Sequence, residues 1–129
     1  MNNLLNIAIQ NLKGVLNLNK RIIAVDFDGT LCESNYPYCG KPIMPIIKAI
    51  AEEKEKGSII ILYTMREGKE LDLALKWCKC YGIEFDAVNE NCQWAKEYFN
   101  NPRKIFYTEL WDDRAFNIDD IIRRYNQFC

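Results

Sequence analysis

Histidine is absent from these 129 residues. A mixed Cys/His zinc site is therefore excluded, and only an all-thiolate one is left. The six cysteines, at positions 32, 39, 78, 80, 92 and 129, do not form a framework for it. Cys78-x-Cys80 has the wrong spacing for a zinc pair. Net charge is nearly absent too, at −1, so nothing global draws the chain to nucleic acid or membrane. No apolar run approaches the roughly 20 residues that a membrane span needs. The N-terminus has no basic leader followed by an apolar core and a small-residue cleavage site. The expectation is a cytoplasmic protein with reduced thiols, Cys78 among them packed in the core. Repeats, linkers and low-complexity segments are missing as well. Hydrophobic residues make up 49%, which fits one packed domain over 1–129.

The most informative stretch present is Ile22–Ile23–Ala24–Val25–Asp26–Phe27–Asp28–Gly29–Thr30. A short, continuous apolar run predicts a strand buried on both faces, as in a parallel sheet. Side chains alternate along a strand, so Asp26 and Asp28 can point the same way, and Gly29 lets the chain turn off. Beyond it, strand and helix patterns alternate. A loop over 29–41 contains Tyr36–Pro37 and Gly40. A helix over about 43–56 carries Ile43, Ile46, Ile47 and Ile50 on one face, with Gly57 as its stop. A second buried strand covers 58–63. A helix over about 67–81 turns Leu71, Ala74, Leu75 and Cys78 inward, with Gly82 beyond it. A short strand at 85–88, a helix at 93–99 and one or two strands within 105–111 follow. The last helix starts near Asn117, with Asp119 and Asp120 in its first turn and Arg123 and Arg124 in its last, matching the helix dipole. Residues 1–20 form an extension that reads either way: Leu5, Ala8, Leu12 and Val15 fit one helical face, whereas 15–18 also fits a strand. This alternation predicts an α/β fold, a Rossmann-like, mostly parallel sheet flanked by helices.

Polar residues recur where the strands end. Asp26 and Asp28 follow the first strand, Thr64 and Arg66 the second, Asn89 and Asn91 the third, and Asp112, Asp113 and Arg114 the last, with Lys104 just before it. In a parallel sheet these ends share one edge, where such folds bind ligands. Carboxylates with a lysine and a threonine hydroxyl suit Mg²⁺ and a phosphate. Clustered acids repel one another without a cation between them.

Asp26-Phe27-Asp28-Gly29-Thr30 resembles the first motif of the haloacid dehalogenase-like superfamily of phosphohydrolases. Thr64, Lys104 and Asp112–Asp113 resemble its second, third and fourth motifs, in that order, over about residues 21–125. The stretches Thr64-Met65-Arg66-Glu67-Gly68-Lys69 and Asp112-Asp113-Arg114 are similar to a small bacterial and phage branch of it. The resemblance implies a phosphatase core in which Asp26 is the nucleophile and Asp28 the general acid and base. It implies Mg²⁺ held by Asp26, the backbone carbonyl of Asp28 and Asp112, with Asp113 in support. It implies Thr64 and Lys104 at the phosphoryl oxygens, with Lys96 a rival for the lysine. Thr64 as a helix cap is the plainer alternative. Arg66 and Arg114 are candidates for substrate contact, since arginine is favoured for phosphate recognition, and surface charge is their alternative.

About a dozen residues separate the first motif from the next helix, and roughly twenty separate Thr64 from the third strand. Neither interval holds the cap domain that superfamily members often carry. The site is therefore expected to be open, admitting a large substrate such as a nucleic-acid end or a phosphoprotein, with a free nucleotide or metabolite as the rival. The Thr-x-Arg and Asp-Asp-Arg pattern is similar to the phosphatase part of polynucleotide kinase-phosphatases, but no G-x-x-x-x-G-K-[ST] kinase loop is present. The Tyr36–Gly40 loop could flank the mouth and stack on a ring. The competing class is a non-hydrolytic, receiver-like or phosphate-binding module. Receiver domains place an acidic pair after the first strand and their phosphorylated aspartate after a middle one. Here the second and third strands end in Thr64 and Asn89.

Overall fold

The computed structural model describes residues 3–7 and 20–126. Strand β1 (Ile22–Val25) is the centre of the molecule. All four of its residues are buried because it is paired on both edges and covered on both faces. On one edge it runs parallel to β2 (Ile59–Leu62), with Ile22 opposite Ile59 and Val25 opposite Leu62. On the other it runs parallel to β4 (Glu109–Trp111), with Val25 opposite Trp111. Strand β3 (Ala87–Val88) extends the sheet beyond β2, giving the order β3-β2-β1-β4, parallel at every pairing.

Alternation along the strands sorts their side chains into two cores. Ile23, Val25, Ile60 and Leu62 face helices α1 (Met44–Glu55) and α2 (Gly68–Cys80), meeting Ile47, Ile50, Ala74 and Cys78. Ile22 and Ile61 face the opposite way, joining Cys92, Ile105 and Ala95 of helix α3 (Gln93–Phe99). The expected α/β architecture is therefore present, with helices on both sides of the sheet.

Helix α1 has Pro45 in its first turn and ends before Gly57, whose φ of +87° suits glycine. Its inward face is not purely apolar. Glu53 is buried there, accepting hydrogen bonds from Ser58 Oγ (2.7 Å) and Arg21 Nη1 (2.6 Å). Arg21 also reaches Glu109 through Nε (2.6 Å), so one guanidinium joins the start of β1 to α1 and β4. Cys78 packs in the core as expected, and burial pushes its thiol up to about 12, keeping it protonated. Cys32, Cys39, Cys80 and Cys92 are free thiols too.

The last strand is shorter than the sequence suggests: it spans 109–111, the Thr108 N–H still donates to the Ile22 carbonyl (2.7 Å), and 105–107 lie outside it. Buried Asn91 is the physical reason for part of this. Its amide donates to the carbonyls of Pro102 and Lys104 at 3.0 Å each, and its Oδ1 accepts from the Phe106 N–H at 2.6 Å. A side chain thus takes the place of a neighbouring strand. Helix α4 (Ile118–Tyr125) begins at Asn117, whose side chain accepts from the Asp119 N–H, and it buries none of its residues. Residues 3–7 form a helical turn. The rest of the alternatives for 1–20, and Cys129, lie outside the described residues. No helix among the described residues is long and apolar enough to cross a membrane.

Ile61 is fully buried in the smaller of the two cores. Ile61→Ala should cost about 2–5 kcal/mol of stability through lost burial and the cavity left behind. Urea denaturation checks this, and a loss under 1 kcal/mol, on the order expected at a surface site, would contradict that packing.

Candidate active site

The parallel register brings the carboxyl ends of all four strands to one edge. Just past β1, the Asp26 N–H donates to the Trp111 carbonyl (2.9 Å), and the Tyr63 N–H donates to the Val25 carbonyl (2.8 Å). These bonds fix where Asp26 stands relative to Thr64 and Asp112. The chain then turns over Phe27, whose carbonyl accepts from the N–H groups of Thr30 (3.2 Å) and Leu31 (3.0 Å). Gly29 makes this turn with a φ of +83°. It also has no Cβ to collide with Asp113, since one would fall 2.4 Å from Asp113 Oδ2.

The missing side chain lets the acids converge. Carboxylate oxygens of Asp26, Asp112 and Asp113 all lie within 4.8 Å of one another. Burial pushes Asp26 up from its ordinary 3.8 to about 6, and the charges of Asp112, Asp113 and Asp28 push the same way. The Phe27 N–H, donating to Asp26 Oδ1 at 2.8 Å, offsets part of the rise. The Arg114 N–H holds Asp112 by its Oδ1 at 2.8 Å. All three acids line a cleft of about 630 Å³, together with Asp28, Thr64 and Arg114. This oxygen-only donor set is the kind that Mg²⁺ takes.

Thr64 is anchored twice. Its N–H donates to Asn89 Oδ1 (2.8 Å), and its Oγ1 accepts from the Arg66 N–H (3.1 Å). The hydroxyl therefore caps a turn ahead of α2 while the residue also lines the cleft. Asn89, one of the polar strand-end residues, acts here as a support for Thr64.

Two expectations need correcting. Arg66 does not face a substrate: it is 2% exposed, is not among the cleft's lining residues, and forms a two-pronged ion pair with Asp28. Neither Lys104 nor its rival Lys96 lines the cleft. Lys104 lies on the exposed segment that Asn91 holds by its carbonyl, and Lys96 pairs with Glu90 at 2.9 Å. Among the described residues, Arg114 is the cation that lines the cleft. Asp28 also departs from the acid trio, because its carboxylate is turned to Arg66. That leaves its backbone carbonyl as the group implied at a metal.

Tyr36 lines the cleft, as the loop's position in the sequence suggested. Ser34, Tyr63 and Met65 line it as well and were not singled out from the sequence. Tyr63 and Met65 immediately flank Thr64, and that adjacency is the signal that could have found them.

No protein-family model and no curated protein matches the chain. Among solved structures, a conserved protein coded by a locus of Bacteroides thetaiotaomicron is similar to it. That protein is 32% identical, with a TM-score of 0.68, over 84% of this chain and 93% of that one. The chain belongs to the family of that Bacteroides protein. The likeness spans almost the whole of that family member, so the two share their overall fold.

The rise of Asp26 has a consequence for stability. A carboxyl with a higher pKa in the folded state holds its proton more tightly there, so ionising it disfavours folding. The penalty is absent below pH 3.8, grows as the pH climbs toward 6 and is complete above it. A rise of this size corresponds to ~3 kcal/mol. Asp26 is only half-buried, and water screening reduces this to on the order of 1 kcal/mol. In metal-free buffer, Asp26→Asn should match the wild type near pH 4 and exceed it in Tm at pH 7.5. Thermal unfolding at both pH values checks this, and a gap independent of pH would refute it.

Proposed function

We propose that this chain is a Mg²⁺-dependent phosphomonoesterase of haloacid dehalogenase-like type, working through an aspartyl-phosphate. One observation carries the reading. The Asp26–Asp28 pair at the end of the central strand opens on the same cleft as Asp112–Asp113 from the adjacent strand, with the acid trio within 4.8 Å. In that reading Asp26, Asp112 and Asp113 would hold the metal through carboxylates, with the Asp28 backbone carbonyl beside them. When bound, Mg²⁺ supplies the positive charge that lets an anionic nucleophile approach an anionic phosphate.

The chain's own residues carry the chemistry. An Asp26 carboxylate oxygen forms a bond to phosphorus as the ester P–O bond breaks. Asp28, protonated on a lone pair that Arg66 leaves free, gives that proton to the departing oxygen. Asp28 then removes a proton from water, whose oxygen attacks phosphorus, releasing inorganic phosphate and restoring the Asp26 carboxylate. Thr64 would bind the phosphoryl oxygens, and Arg114 an anionic group at the cleft wall. No cap domain stands among the described residues. A phosphate on a nucleotide or a nucleic-acid end fits an open cleft of this kind.

Hydrolysis of an aryl phosphate should require Mg²⁺ and stop in excess chelator. Asp26→Asn should abolish it while far-ultraviolet circular dichroism stays unchanged. Arg114→Ala should raise KM about tenfold, in keeping with the loss of a charge-assisted hydrogen bond. Turnover in chelator, or by Asp26→Asn, would overturn the proposal. Phosphorylation of Asp26 without release of phosphate would favour the non-hydrolytic module instead.

A further inference from the structure

We propose that Arg66 is a positioning residue that fastens Asp28 to the 33–41 loop, aligning a leaving group on Tyr36 with the carboxylate that serves it. The inference rests on the acid–base role given to Asp28 above. A guanidinium has five N–H donors, and here all five are engaged. Nε donates to Asp28 Oδ2 (2.9 Å) and Nη2 to Asp28 Oδ1 (2.8 Å). Nη2 also donates to the Tyr38 carbonyl (2.7 Å). Nη1 donates to the carbonyls of Pro37 (3.1 Å) and Glu70 (3.0 Å). The guanidinium also lies over the Phe27 ring at 4.8 Å and the Tyr36 ring at 5.2 Å.

The neighbours of Arg66 sharpen the point. Met65, one residue earlier, is 98% exposed, whereas Arg66 is turned wholly inward. The loop is closed at its neck, where the Glu33 N–H donates to the Lys41 carbonyl (2.8 Å). Gly40 approaches so closely there that a Cβ would fall 1.9 Å from the Glu33 carbonyl oxygen. The tip, Tyr36–Tyr38, is exposed, and Arg66 binds its backbone through two carbonyls. One side chain thus sets both Asp28 and the loop that presents Tyr36 to the cleft. Lysine cannot do this, because an ammonium has no planar fork and only three donors.

The test is a cycle over Arg66→Lys and Asp28→Asn, read on an aryl phosphate and on an alkyl phosphate with a poor leaving group. Arg66→Lys should lower kcat for the alkyl ester about a hundredfold, on the scale of general acid–base catalysis, with KM nearly unchanged. The loss for the aryl ester should be much smaller, since its leaving group needs no proton. In the Asp28→Asn background, Arg66→Lys should cost nothing further. Additive losses, equal for both esters, would mean a merely structural arginine and overturn the proposal. Hydrogen exchange supplies a readout that needs no activity. The Tyr38 amide, which donates to the Asn35 carbonyl (2.9 Å), should exchange at least tenfold faster in Arg66→Lys, with the strands unchanged. Unaltered exchange would remove the tether, even in an active enzyme. Faster exchange in Arg66→Lys, alongside a wild type that hydrolyses neither ester, would uphold the tether and defeat the phosphatase reading instead. Tyr36→Leu, which keeps the carbonyls that Arg66 binds, should raise KM for the aryl ester alone. An equal rise for both esters would deny the ring its part.

Discussion

Strand β1 is only four residues long, yet every functional position in the molecule is measured from it. It is hydrogen-bonded to a parallel neighbour on each edge and buried on both faces, so its register has no freedom to slip. A shift by one residue would turn Ile23 and Val25 out of one core and Ile22 out of the other. The same register stations Asp26 beside the end of β4 and across from the end of β2. The apolar core therefore does more than stabilise the fold. It fixes the relative positions of an aspartate pair, a threonine and a second aspartate pair that are remote in sequence.

Convergence of this kind has a cost that the core must carry. Burial and three neighbouring carboxylates raise Asp26 to about 6, against the interest of folding at neutral pH. Gly29 makes the crowding possible, because any larger residue would push Asp113 away. A chain selected for stability alone would separate these charges or replace one with an amide. Retaining them at a junction of two backbone segments is what the proposed cation-binding centre would require. The proposed chemistry and the local instability are two aspects of one arrangement.

Much of this was legible in the sequence, for identifiable reasons. β1 and β2 are continuous apolar runs, and their type follows from burial on both faces. α1 and α2 end near glycines that take positive φ, so their ends could be read within a residue or two. Asp26, Asp28, Asp112 and Asp113 stand out because acids directly follow strands. What could not be read depends on contacts between distant residues. The shortening of the last strand depends on Asn91, whose side chain binds three backbone groups 11 to 15 residues away. The burial of Glu53 depends on Arg21 and Ser58, which lie on other segments. The direction of Arg66 depends on Asp28, 38 residues earlier, and on the carbonyls of Pro37 and Tyr38 in a separate loop. Sequence pattern reports which face of an element is apolar, and says nothing of where a single charged side chain turns.

The two arginines near the site show why that distinction matters for function. Arg114 sits at the cleft wall, and its own N–H braces Asp112. Arg66 is nearly sealed, with every donor taken. A buried cation left unpaired would be strongly unfavourable, so Arg66 is secure only while both Asp28 and the loop carbonyls remain in place. This makes the loop and Asp28 interdependent through one side chain. The tether at the tip also runs through main-chain oxygens of Pro37 and Tyr38, not through their side chains. Substitutions at Tyr38 can therefore change the character of the exposed tip while leaving the tether intact. A loop held this way lets the chemistry at its edge vary while the carboxylate behind it stays still.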